Sequence, residues 1–233
     1  MRQALGIAVA VIAIGGCAPS VTPGARFMSG VGANGDFNLP IQSMDERRYA
    51  TVVRQRYDFS CGSAALSTLL RFHYGWNVGE DKVFVGMWRD GDRDAIKRVG
   101  FSLLDMRRYL DAKGLKADGY KVSIDDVAKA GIPGIALISV RNYKHFVVVK
   151  GVTPSEVLIG DPSVGLHLMP RAEFETAWNG VYFVLNSEQA RGRTAFNVPR
   201  QWAAYTRAPI GARFSDPVGL QALALTAPFY RDF

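Results

Sequence analysis

The apolar residues of this chain change their spacing once, near Gly131, and that change limits the folds open to it. Upstream the spacing follows the helical turn. Residues 60–74 (SCGSAALSTLLRFHY) put Ala65, Leu66, Leu69, Leu70 and His73 on one helical face, and Gly75 can end the helix. A second helix is predicted over about residues 79–88. A third opens at Ser102, a good N-cap, turns Leu103, Met106, Tyr109 and Leu110 inward, and stops at Gly114. A short fourth opens at Ser123, with Asp125 and Asp126 in its first turn, and ends at Gly131. Downstream, residues 134–140 (GIALISV), 145–149 (HFVVV), 157–159 and 181–185 (VYFVL) read as strands, with TPSE and DPSVG as turns. A further helix is expected over residues 170–178. A helical first half before a mostly antiparallel β second half is an α+β pattern.

Composition removes several other classes. Hydrophobic residues make up 48% and charged residues 21%, which suits a packed core and not a disordered chain. No run reaches the ~18 apolar residues of a membrane-spanning helix. The net charge is +7, but the basic residues are scattered, without the dense run of a nucleic-acid arm, so no nucleic-acid partner is expected.

Residues 1–20 (MRQALGIAVAVIAIGGCAPS) combine a positive start, an apolar stretch and small residues, as a secretory signal peptide does. Ile14-Gly15-Gly16-Cys17 resembles the lipobox of bacterial lipoproteins, in which cleavage precedes an acylated cysteine. The expected organisation is a lipoprotein signal peptide at 1–16, a lipid-anchored tether at 17–47, a domain at 48–187 and a C-terminal extension at 188–233 that packs on the domain or, as the alternative, meets a partner. Lipidation at Cys17 would leave Cys61, the other cysteine, as a free thiol in an exported protein.

Cys61 belongs to QRYDFSCG, at the start of the first long helix. Backbone N–H groups and the helix dipole favour a thiolate there, so rapid labelling by iodoacetamide near pH 6 is expected. Gly62 would let a substrate backbone approach. Gln55, six residues earlier, can bring its carboxamide beside the Cys61 N–H to form an oxyanion hole. The chain has three histidines to act as base. His73 is about 18 Å along the helix from Cys61 and cannot serve. His145 begins a strand at its emergence from a loop and is preferred, with His167 in GLHLMP as the alternative. Asp161, in LIGDPSVG at the end of the next strand, can accept from the His145 ring and fix its tautomer. No paired Cys/His spacing suggests a metal.

These strings, QRYDFSCGSAALSTLL, HFVVVKGV and LIGDPSVG, resemble the bacteriocin-processing double-glycine leader peptidases, a papain-like cysteine peptidase family. The resemblance covers about residues 48–187. It is strongest to the stand-alone exported branch that serves functional-amyloid secretion. It implies a papain-like fold, with Cys61 as nucleophile, Gln55 in the oxyanion hole, and His145 and Asp161 completing the triad. Transporter-linked members commonly carry an acid just before the cysteine, where this chain has Ser60.

The expected function is hydrolysis of peptide bonds in an exported polypeptide, without cofactor, metal or ATP. Secretion-system components are further expected partners. The expected location is the cell envelope, on the periplasmic face of the outer membrane through the lipid anchor. A non-catalytic docking module, or a cell-wall peptidase or acyl transferase with the same thiol chemistry, are the alternatives.

Overall fold

The computed structural model describes residues 24–27, 37–40, 42–141, 143–203 and 205. Residues 1–43 and 44–233 form separate units. In the first, the expected tether contains a two-stranded antiparallel hairpin, β1 (Gly24–Phe27) with β2 (Phe37–Pro40), paired from Gly24↔Pro40 to Phe27↔Phe37. The signal segment and Cys17 lie outside the described residues.

The second unit opens with α1 (Met44–Tyr49), so regular structure starts inside the stretch read as tether. Then come α2 (Cys61–His73), α3 (Glu80–Asp90), α4 (Arg93–Val99) and α5 (Leu103–Asp111). The strand β3 (Ala117–Lys121) and α6 (Ile124–Ala130) lead into β4 (Gly134–Val140), β5 (Tyr143–Val152), β6 (Glu156–Asp161) and β7 (Gly165–Pro170). The chain continues through α7 (Arg171–Ala177), β8 (Trp178–Leu185), α8 (Gln189–Thr194) and α9 (Pro199–Ala203). Both predicted caps are capping boxes: Ser102 with Asp105, and Ser123 with Asp126. The helix α4, capped by Asp92, and the strands β3 and β7 were not anticipated.

The strands form one antiparallel sheet in the order β3-β8-β4-β5-β6-β7. Alternate side chains divide it into two faces. Ile135, Phe146, Val148 and Phe183 pack with α2, α3 and α5, while Ala136, Val147, Val149 and Val184 pack with α6 and Phe174 of α7. The sequence suggested one buried face for α2. Instead every residue from Cys61 to Leu70 is buried. Its hydroxyls are satisfied locally: Ser63 donates to the Ser60 carbonyl at 2.9 Å, Ser67 to the Val78 carbonyl at 2.9 Å, and Thr68 accepts from the Val53 N–H at 2.9 Å. Hence they can lie in a core at little cost.

The described part of the C-terminal extension packs on the domain. Phe196 joins the second face's core. Asn197 bridges both backbone groups of Val152, accepting from its N–H at 2.8 Å and donating to its carbonyl at 3.1 Å.

Lys150 of β5 is fully buried; its ammonium donates to the Thr51 carbonyl at 2.8 Å and lies 5.5 Å from the Phe72 ring centre. Burial of the charged form lowers its pKa from 10.5 to about 7. Between those values the unfolded chain holds a proton that the folded chain has released, so this group makes stability rise with pH across that window. Lys150→Met should raise the urea midpoint at pH 7 and flatten the rise between about pH 7 and pH 10. Parallel pH profiles for the two proteins would show that Lys150 is solvated.

Candidate active site

Cys61 is the first residue of α2, with Ser60 at the N-cap. The Ser60 hydroxyl does not cap the helix. It is bonded to the Tyr57 carbonyl at 3.0 Å and to Glu80 Oε1 at 2.5 Å. An acid therefore reaches the position before the cysteine from α3, where the sequence has none. Glu80 is buried, and its Oε2 has no hydrogen-bond partner.

The N–H groups of Phe146, Gly62 and Cys61 stabilise the sulfur's anionic form. Cys61 is only 7% exposed, however, and burial outweighs those amides and pushes its thiol up from the ordinary value. The expected helix-start thiolate is thus corrected: the amides are there, but this helix start lies inside the protein. Ionisation depends on a proton acceptor. Gly62 has a packing role as well. A Cβ there would come within 2.9 Å of Phe101 Cβ and 3.1 Å of Met106 Cε, so core packing requires the glycine.

The backbone of β5 reaches the sulfur through Phe146, and the preceding residue is His145. His145 Nε2 lies 2.8 Å from Asp161 Oδ2, with both side chains buried. The other ring nitrogen, Nδ1, is buried and has no hydrogen-bond partner. Antiparallel pairing of β5 with β6 brings the two residues together, as the hairpin reading required.

Asp161 is held from its other side. Its Oδ1 accepts from the N–H of Ser163 at 2.7 Å and of Val164 at 3.4 Å, an Asx-type turn. Gly165, at φ +85°, closes this turn into β7, and a Cβ there would press within 2.8 Å of Arg48. Burial, the largest single effect, raises the Asp161 pKa. The hydrogen bond and charge of His145, with the Ser163 N–H, together outweigh it and hold the carboxyl below the usual range.

Gln55 precedes α2 and is half-buried. Its N–H donates to the Pro162 carbonyl at 3.0 Å, and its Oε1 accepts from the Ser163 hydroxyl at 3.1 Å. Gln55 is therefore bound to the same turn that holds Asp161. Tyr143 completes the surroundings: its ring stacks on His145 at 5.4 Å and its hydroxyl donates to the Asp58 carbonyl at 3.3 Å.

The remaining histidines lie elsewhere. His73 is buried near the far end of α2, against the Ala195 carbonyl at 3.0 Å. His167 is on β7, with Nδ1 near the Gly165 carbonyl at 3.2 Å. Sequence reasoning missed Ser163, Tyr143 and Glu80. The DPSVG string, which was read as a turn, held the only signal for Ser163. Glu80 had none, since Ser60 is 20 residues away, and Tyr143, two residues before His145 on the same strand, belonged to no motif.

The profile of the Peptidase C39 family matches residues 50–190. The chain is 43% identical over 148 residues to a "probable functional amyloid protease FapD" of Pseudomonas fluorescens, covering 64% of this chain and 66% of that protein. The protein of the same description from Pseudomonas aeruginosa is 39% identical over 168 residues, covering 72% of this chain and 74% of its own length. The peptidase domain of Streptococcus ComA, a bi-functional ABC transporter involved in quorum sensing, superposes with a TM-score of 0.50 at 22% identity, over 58% of this chain and 96% of that domain. That domain shares the fold, and the family match with the two relatives shows that the chain belongs to the Peptidase C39 family of cysteine peptidases.

Proposed function

We propose that this protein is an active cysteine peptidase that cuts an exported polypeptide, with Cys61, His145 and Asp161 as its catalytic group and Gln55 in the oxyanion hole. One observation carries the reading. His145 Nε2 is engaged by Asp161 at 2.8 Å, while Nδ1 is left without a partner. A ring that donates from Nε2 has a basic Nδ1, which is what a neutral thiol needs to be activated.

In the proposed reaction His145 Nδ1 takes the Cys61 proton as the sulfur attacks the peptide carbonyl carbon. The oxyanion accepts from the Cys61 N–H and from Gln55 Nε2. The imidazolium then gives its proton to the departing amine, and the C–N bond breaks to leave a thioester. Water, deprotonated by His145, attacks that thioester and releases the acid and the free thiol. Asp161 stays ionised throughout and stabilises the imidazolium.

The relatives described as functional amyloid proteases support a substrate among secreted polypeptides. The lipobox-like Ile14-Gly15-Gly16-Cys17 supports attachment to the envelope through acylated Cys17, facing the periplasm from the outer membrane. Among the described residues, no helix is long and apolar enough to cross a membrane.

The direct test incubates purified protein with candidate exported polypeptides, wild type beside Cys61→Ala, and maps the cut bonds by mass spectrometry. Cuts after small residues are expected with wild type alone. Binding without cleavage by wild type would favour a docking module. Cys61→Ser and His145→Ala should each abolish turnover with the fold intact by circular dichroism, and His167→Ala should keep nearly full activity. Equal loss from both histidines would refute the choice of base.

Iodoacetamide labelling of Cys61 at pH 7 should slow on the order of tenfold or more in His145→Ala, since burial otherwise keeps the thiol neutral. An unchanged rate would mean that the helix start ionises the thiol unaided. In cells, the mature protein should begin at Cys17 and partition into detergent, and Cys17→Ala should block both. A soluble product with another N-terminus would remove the anchor.

A further inference from the structure

A carboxamide has two nearly equivalent settings, because its terminal torsion is broad and roughly two-fold. In one setting Gln55 turns its NH₂ to the reacting carbonyl and can stabilise an oxyanion. In the other it turns an oxygen there and repels the same charge. Membership in an oxyanion hole therefore requires something that holds the carboxamide in place.

The turn beside Gln55 supplies that hold. The Ser163 hydroxyl donates to Oε1 at 3.1 Å. With Oε1 bound to Ser163, Nε2 is the end of the carboxamide left to donate. Ser163 is itself fixed at two backbone points, its N–H on Asp161 Oδ1 at 2.7 Å and its carbonyl accepting from the Tyr49 hydroxyl at 2.6 Å.

We infer that Ser163 is a positioning residue whose hydroxyl holds the Gln55 carboxamide by its oxygen, so that one turn aligns both the oxyanion donor and the aspartate behind the base. The inference rests on the oxyanion role proposed above for Gln55. The two functions of Ser163 are separable by chemistry. Its hydroxyl serves Gln55, and its backbone N–H, which survives any substitution except proline, serves Asp161.

The test compares wild type, Ser163→Ala, Ser163→Thr, Gln55→Ala and the Gln55→Ala/Ser163→Ala double variant. The probe is the 4-nitrophenyl ester of acetyl-Gly-Gly, with Cys61→Ala as background. Reversible binding of acetyl-Gly-Gly aldehyde, whose adduct with Cys61 puts an oxygen in the oxyanion position, reads the same hole without turnover. Gln55→Ala should lower kcat by about 10² to 10³. Ser163→Ala should lower kcat, and weaken aldehyde binding, by roughly three- to tenfold, the worth of one neutral hydrogen bond, with KM nearly unchanged. Ser163→Thr should restore both. Iodoacetamide labelling of Cys61 should be the same in Ser163→Ala as in wild type, because the Asp161 contact survives. In the Gln55→Ala background, removing the hydroxyl should cost nothing more.

A large loss in Gln55→Ala with none in Ser163→Ala would overturn this inference and leave the oxyanion reading standing. An equal loss from Ser163→Ala with or without Gln55 would show that the hydroxyl acts elsewhere, and would overturn it too. No loss in Gln55→Ala would refute the oxyanion role itself, and the inference with it.

Discussion

Helix α2 lies between α3 and α5 on one side and the sheet on the other, with each residue from Cys61 to Leu70 out of solvent. That burial is what gives the sulfur a defined position. A helix start on the surface would fray, and its first residue would sample many places. Here Phe101 and Met106 close on Gly62, and Phe146 of β5 brings its N–H to the sulfur. The same burial sets the electrostatics. It removes Cys61 from the water that would solvate a thiolate.

The second support is the turn between β6 and β7. Its residues bind Asp161 through the Ser163 and Val164 N–H groups, Gln55 through the Pro162 carbonyl and the Ser163 hydroxyl, and Tyr49 through the Ser163 carbonyl. A short hairpin thus fastens the segment before the cysteine to the strand carrying the aspartate. Gly165 makes the hairpin feasible, since its φ of +85° and the nearness of Arg48 both disfavour a side chain.

Two buried ionisable groups illustrate how surroundings direct similar physics to different ends. Asp161 stays below the usual carboxylate range because a histidine and a backbone N–H outweigh its burial. Lys150, on the strand that also carries His145, has one carbonyl, an aromatic ring and the buried His73 for company, and burial prevails. Lys150 therefore weighs on stability at neutral pH, whereas Asp161 is held as the charge that a protonated imidazole needs.

The chain by itself determined the order of elements wherever local signals were strong. Ser102 and Ser123 opened helices, Gly131 closed one, and short apolar runs marked β4, β5, β6 and β8. It also pointed to Gln55, Cys61, His145 and Asp161, since a helix start and two strand ends expose side chains that can converge. The tertiary structure decided the rest. It showed α4, β3 and β7, which are short or polar and take their shape from pairing and caps. It reversed the expected acidity of the Cys61 thiol, because the helix dipole acts locally whereas desolvation depends on everything packed around it. It gave Gly62 a packing reason as well. And it joined Ser163 to Gln55, residues 108 apart in the chain, through a hydrogen bond that local spacing does not encode.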